Sequence, residues 1–210
     1  MSCRTPASRA LAASAFSVAI ALLLGSCLSL RTSIAVDDSD AALEGRVVFE
    51  YTLDPLFFEI GVYDNDDPMT ILPISRNDFE LLTARSDGLD LAGYSWEEGE
   101  NQVLVRAELA FADAGALEAA LGQQASATGT GQSGTLRLAL SPGLEEGTDG
   151  DIAALLQEVS PEAALTFVLT APESISAASP GNRQGDRATF EVTLAELARA
   201  QEELVWEVEW

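Results

Sequence analysis

The chain has 210 residues, 34 of them acidic and 11 basic, for a formal charge of −23 at pH 7, and it contains no histidine. So acidic a surface repels a phosphate backbone, which excludes nucleic acid as a partner. Without histidine the commonest general base and metal ligand is gone, so neither a Ser-His-Asp nor a Cys-His site can be assembled.

Residues 1–26 have the three parts of a secretory signal. A short basic region carries Arg4 and Arg9, and an apolar stretch runs from Ala10 to Leu24, broken only by Ser14 and Ser17. That stretch is shorter than the roughly 20 apolar residues needed to span a bilayer. It closes on Leu24-Gly25-Ser26-Cys27, which resembles the lipobox of bacterial lipoproteins. The resemblance implies cleavage between Ser26 and Cys27 and acyl chains such as palmitate attached through Cys27. It also implies a place in the cell envelope, anchored to a membrane on its extracytoplasmic side. Leu28 stands where an aspartate would resemble an inner-membrane retention signal, which points to the outer membrane in a cell that has one.

Cys3 lies in the removed segment, so the mature chain has one cysteine and no internal disulfide. Two of the basic residues and none of the acids precede Cys27, so residues 27–210 carry 9 basic and 34 acidic groups, a formal charge of −25. Every basic residue is arginine. The acidity reads either as simple solubility or as adaptation to salt, which screens self-repulsion over ~3 Å at 1 M.

Residues 27–43 read as a lipidated tether and residues 44–210 as one α+β domain. From Gly45, Val47, Phe49, Tyr51 and Leu53 alternate with Arg46, Glu50 and Thr52, the pattern of a half-buried strand. Asp54 to Pro73 holds an apolar cluster, Phe57, Phe58, Ile60 and Val62, followed by Asp64-Asn65-Asp66-Asp67. A helix is expected from Ser75, with Asp78 completing a short capping box and Phe79, Leu81 and Leu82 forming the buried stripe. A hairpin follows, with strands at 89–97 and 102–111 around Glu98-Gly99-Glu100-Asn101. Asp113 caps a short helix stopped by Gly122.

The Gly-, Ser- and Thr-rich run 122–134 reads as a flexible loop. Beyond it, strands are expected at 135–141, 165–170, 188–194 and 205–210, and a helix at 151–159. The fold class is then α+β, an antiparallel sheet with two or three helices. Its first six elements could form a ferredoxin-like βαββαβ unit, with 135–141 paired beside the first strand.

The lipobox ending at Cys27, the strand from Gly45, the strand Val103 to Phe111 before a short helix, Ala171-Pro172, Gly181-Asn182 and the aromatic close at Trp206 to Trp210 together resemble the envelope lipoproteins that include the mycobacterial LppM proteins. The resemblance rests on layout and implies binding of an envelope lipid, with no ligand-contacting residue carried over.

Candidate sites are few. Asp64-Asn65-Asp66-Asp67 opens like a calcium loop, yet Met69 stands where its glycine belongs and Ser75 where its bidentate glutamate belongs. It reads as a solvated turn, and Asp149 and Asp151 read as helix-start acids. No metal, cofactor or catalytic residue is assigned, and the chain reads as no enzyme. Trp96, Trp206 and Trp210 read as core or sheet-face residues in preference to ligand platforms. Adjacent Phe57 and Phe58 cannot both point inward from one strand face. With Ile60 and Val62 they are the candidates for contact with an apolar ligand, such as an envelope lipid, or with an envelope protein. The competing function is a scaffold lipoprotein with a fully packed core.

Overall fold

The computed structural model describes residues 29–56, 58–59, 73–122, 124–140, 163–200 and 202–210. The described elements in chain order are β1 (Ser29–Val36), β2 (Gly45–Leu53), α1 (Arg76–Ala84), β3 (Leu89–Glu98), β4 (Val103–Phe111), α2 (Ala114–Leu121), β5 (Ala125–Gly129) and β6 (Gly134–Leu140). They continue with β7 (Ala164–Thr170), β8 (Ala177–Ser179), β9 (Asn182–Gln184), β10 (Arg187–Thr193), α3 (Leu194–Arg199) and β11 (Leu204–Glu209).

The strands form a seven-stranded sheet in the order β3-β4-β2-β1-β7-β10-β9 and a four-stranded sheet in the order β5-β6-β11-β8. The larger sheet is mixed, because β1 is antiparallel to β2 and parallel to β7. The period-two pattern determines its inner face. Val47, Phe49, Tyr51 and Leu53 of β2 are buried, as are Val103, Val105, Ala107, Leu109 and Phe111 of β4. Registers carry this face across β1 and β7, where Thr32 lies between Phe49 and Phe167, and Ile34 between Val47 and Leu169.

Two covers close the inner face. Over one half lie α1 and α2, where Phe79 of α1 meets Phe49 at 5.9 Å and Tyr94 at 6.0 Å between ring centroids. Over the other half the smaller sheet brings the fully buried Trp206 against Phe167 (6.0 Å) and Phe190 (6.3 Å). α2 joins the two, packing on β3, β4 and β5, with Glu118 accepting a hydrogen bond from the Ala127 N–H at 2.8 Å.

This architecture corrects the α+β expectation. The described residues are mostly strand, and among them there is no ferredoxin-like unit. Gly134–Leu140, expected beside the first strand, pairs with β5 and β11 in the separate sheet. The neighbours of β2 are β4 and β1, and β1 lies within the segment read as tether. Residues 29–36 are therefore the middle strand of the larger sheet, held by backbone hydrogen bonds on both sides. The run 122–134 read as a flexible loop contains β5 and the turn into β6. That turn is fixed in place, with the Gly131 N–H donating to Ser39 O at 2.9 Å and to Ala42 O at 3.1 Å. Within α1, Phe79 is buried as expected, whereas Leu81 is exposed. The helix expected at 151–159 lies outside the described residues.

Candidate functional site

A cleft of about 470 Å³ opens where the end of β2, the start of α1 and the β3–β4 hairpin converge. Its size falls within the roughly 300–1,000 Å³ usual for ligand sites. The chain leaves β2 at Asp54, whose carboxylate accepts the Leu56 N–H at 2.8 Å and whose carbonyl accepts the Phe58 N–H at 3.0 Å. This tight turn delivers Phe58 to Trp96, with ring centroids 5.1 Å apart and planes tilted by 40°.

The opposite wall is the first turn of α1. Ser75 Oγ accepts the Asp78 N–H at 3.2 Å, and the Asp78 carboxylate accepts the Ser75 N–H at 2.8 Å and the Ile74 N–H at 3.1 Å. These bonds satisfy backbone donors that a helix start otherwise leaves orphaned. Tyr94 buttresses the same wall by donating its hydroxyl to Ile74 O at 2.9 Å. Partial burial, and then the nearby Asp78 carboxylate, raise the Tyr94 pKa above the ordinary phenol value.

Charged groups stand at the rim. Arg76 pairs with Glu80 at 2.7 Å, and Glu59 and Glu98 are exposed on the other side. The cleft thus combines an aromatic wall with a polar mouth. Its Ser75 hydroxyl is already engaged as a helix cap, and its tyrosine hydroxyl is engaged with a carbonyl. Such an arrangement offers apolar contact inside and charge at its mouth.

Of the residues proposed from sequence, Phe58 lies in the cleft, half-buried. Phe57, Ile60, Val62, Ser26 and Cys27 lie outside the described residues, as do Asp64 to Asp67, Asp149 and Asp151. Trp206 and Trp210 are core residues, whereas Trp96 lies on the sheet face opposite Val105 and is 49% exposed. Trp96 and Tyr94 are the site residues that sequence reasoning missed. The signal was the acidic company of Trp96, since Glu97, Glu98 and Glu100 mark the hairpin's outer end as solvated.

No family model and no curated protein matches the chain. Among solved structures, it is similar to the NMR structure of the folded domain of the Mycobacterium tuberculosis LppM protein, at 13% identity and a TM-score of 0.44, over 88% of this chain and 90% of that one.

Proposed function

We propose that this protein is a lipid-anchored, non-catalytic lipoprotein of a bacterial cell envelope, and that the cleft at Phe58 and Trp96 binds an apolar or amphipathic ligand such as an envelope lipid. The observation that carries the ligand reading is the half-exposed Trp96 indole, with the tilted Phe58 ring against it in a concave site. A large aromatic surface left open in a concavity is the usual mark of a binding function. The anchor reading rests on Leu24-Gly25-Ser26-Cys27, with the two or three acyl chains of a lipoprotein sufficient for stable attachment. On this reading the domain faces the extracytoplasmic side.

One observation favours a second reading. The inner face of the larger sheet is filled by side chains, with Trp206, Tyr51 and Phe79 all fully buried, so the site lies on the rim of the fold instead of inside it. A scaffold lipoprotein would use the same cleft for a side chain of an envelope protein.

Native mass spectrometry of residues 28–210 purified from a bacterial host, with organic extraction, separates the two. A stoichiometric lipid that is lost in a folded Phe58→Ser, Trp96→Ser variant supports the ligand reading. A clean apo mass removes it in favour of the scaffold. The anchor is tested separately: a Cys27→Ser chain that stays as firmly membrane-bound as the parent would refute it.

A further inference from the structure

β1 is the fourth of the seven strands, and it starts at Ser29, two residues after Cys27. Two residues reach ~7 Å at most. The sheet extends three strands to either side, about 14 Å each way at a spacing of ~4.8 Å. An anchor so short, attached in the middle of one edge, forces that edge against the bilayer, whereas an anchor on an outer strand would let the domain swing aside.

The composition of the edge suits that position. Ser29 is in register with Thr52, Thr52 with Leu104 and Leu104 with Glu97, so the four form one row on the outer face, apolar at Leu104 and charged at its end. Leu104 is 42% exposed, and Leu56, just beyond the end of β2, is 53% exposed. The next row up on the same face is Arg31, Glu50 and Arg106. Both arginines pair with the one glutamate, Arg106 at 2.6 Å and Arg31 at 3.9 Å, and the exposed Glu191, which follows Arg31 in the same row through Thr166, makes the row neutral on a strongly acidic chain. Two residues along a strand is ~6.6 Å, about the step from acyl boundary to headgroup phosphate that arginine side chains bridge.

We propose that this edge is a membrane-docking surface, on which the strands stand upright. Leu56 and Leu104 enter the boundary of the bilayer that holds Cys27, and Arg31 and Arg106 reach its phosphates. The inference rests on the lipid anchor read above. Glu97, Glu98 and Glu100 crowd the outer corner of the same edge. The docking is therefore to zwitterionic headgroups and is not strengthened by anionic lipid.

The test uses the lipidated full-length product reconstituted in phosphatidylcholine vesicles. Once the signal is removed and Cys27 acylated, an introduced cysteine is the only free thiol. Nitroxide labels are placed at Leu56→Cys and Leu104→Cys, and at Asp90→Cys, which pairs with Ala110 at the far end of the sheet. The expected result is that the Leu56 and Leu104 labels are several-fold more accessible to oxygen than to a water-soluble nickel complex, with the reverse at Asp90. Equal exposure of all three to the nickel complex overturns the proposal while leaving the anchor intact. A flexible Gly/Ser insertion between Leu28 and Ser29 separates true docking from enforced proximity: immersion that survives it supports the surface, and immersion that vanishes refutes it. Loss of the anchor reading shows up differently, as membrane binding that is unchanged in Cys27→Ser.

Discussion

Gly134 and Trp210 exchange both of their main-chain hydrogen bonds, at 3.0 and 3.1 Å, and the Trp210 indole lies over the Gly134 Cα, where a Cβ would come within 2.5 Å of the ring. The indole N–H also donates to Thr130 O at 3.3 Å. The pair thus closes the smaller sheet onto the turn that Gly131 fastens to the loop between β1 and β2. A side chain at position 134 must displace backbone or indole, so Gly134→Ala is expected to cost about 1–3 kcal/mol in urea denaturation. A smaller ring should recover part of the loss, so Trp210→Phe should be milder in the Gly134→Ala background than alone.

Deletion of residues 29–36 discriminates between a tether and a strand. A tether could be removed without harm, but this segment contributes Ile34 and Val36 to the core and the backbone that joins β2 to β7. Far-UV circular dichroism of a chain starting at Asp37 is expected to report an unfolded protein. A native spectrum would mean that the sheet closes without its central strand.

The same segment shows where the sequence was legible and where it was not. Strands with four or five large apolar residues on one face, such as β2 and β4, announce themselves by alternation. So do the caps at Ser75 and Asp113, because a side-chain oxygen followed three residues later by an acid or a helix-forming run is a local signal. β1 has the same period, but its inward positions are Leu30, Thr32, Ile34 and Val36 and its outward ones are small or polar, so next to a cleavage site it resembles a linker. β5 is short and contains only alanine, serine, threonine and glycine; its strand geometry comes from pairing with β6, a non-local cause. The register shift between Leu91 and Gly93 sets Trp96 opposite the buried Val105, on the inner face, and its 49% exposure comes from its place near the outer end of the hairpin, which periodicity does not show. The cleft itself joins residues from position 55 to position 103 and has no linear signature.

The Tyr51 hydroxyl is buried with no hydrogen-bond partner among the described residues, and burial drives its pKa far above the ordinary value. An unsatisfied buried hydroxyl carries a desolvation cost of about 1–3 kcal/mol, so Tyr51→Phe should stabilise the fold by about 1 kcal/mol. The folded state holds the neutral phenol. This contribution is therefore complete below the unfolded pKa near 10 and is lost as pH rises above it. Tyr51→Phe should accordingly move alkaline unfolding to higher pH, and a destabilised variant would mean that the hydroxyl has a partner.

Ser75 sets the start of α1 and, through Ile74, the seat of the Tyr94 hydroxyl. Ser75→Ala removes the cap and should cost about 1 kcal/mol, with Ser75→Asn much closer to the parent. Melting temperatures of the three proteins measure this. An Ala variant as stable as the parent would show that the cap does not hold the cleft wall.

Trp96 and Trp206 should respond in opposite ways. Trp206 is fully buried against the paired Phe167 and Phe190, and its indole N–H has no partner among the described residues, so it contributes packing alone. Truncation to alanine there should cost about 3–5 kcal/mol. Trp96 is half-exposed, and among the described residues its one close aromatic contact is Phe58, so Trp96→Ala should cost only about 0.5–1.5 kcal/mol, the worth of an aromatic pair. With Trp206 and Trp210 buried, Trp96 supplies the red edge of the tryptophan emission, and Trp96→Phe should shift the spectrum to the blue with little change in melting temperature. A ligand in the cleft would produce the same blue shift in the parent and none in Trp96→Phe. Should Trp96→Ala instead unfold the domain, the indole would be a structural residue, and the cleft would lose its main claim as a binding site.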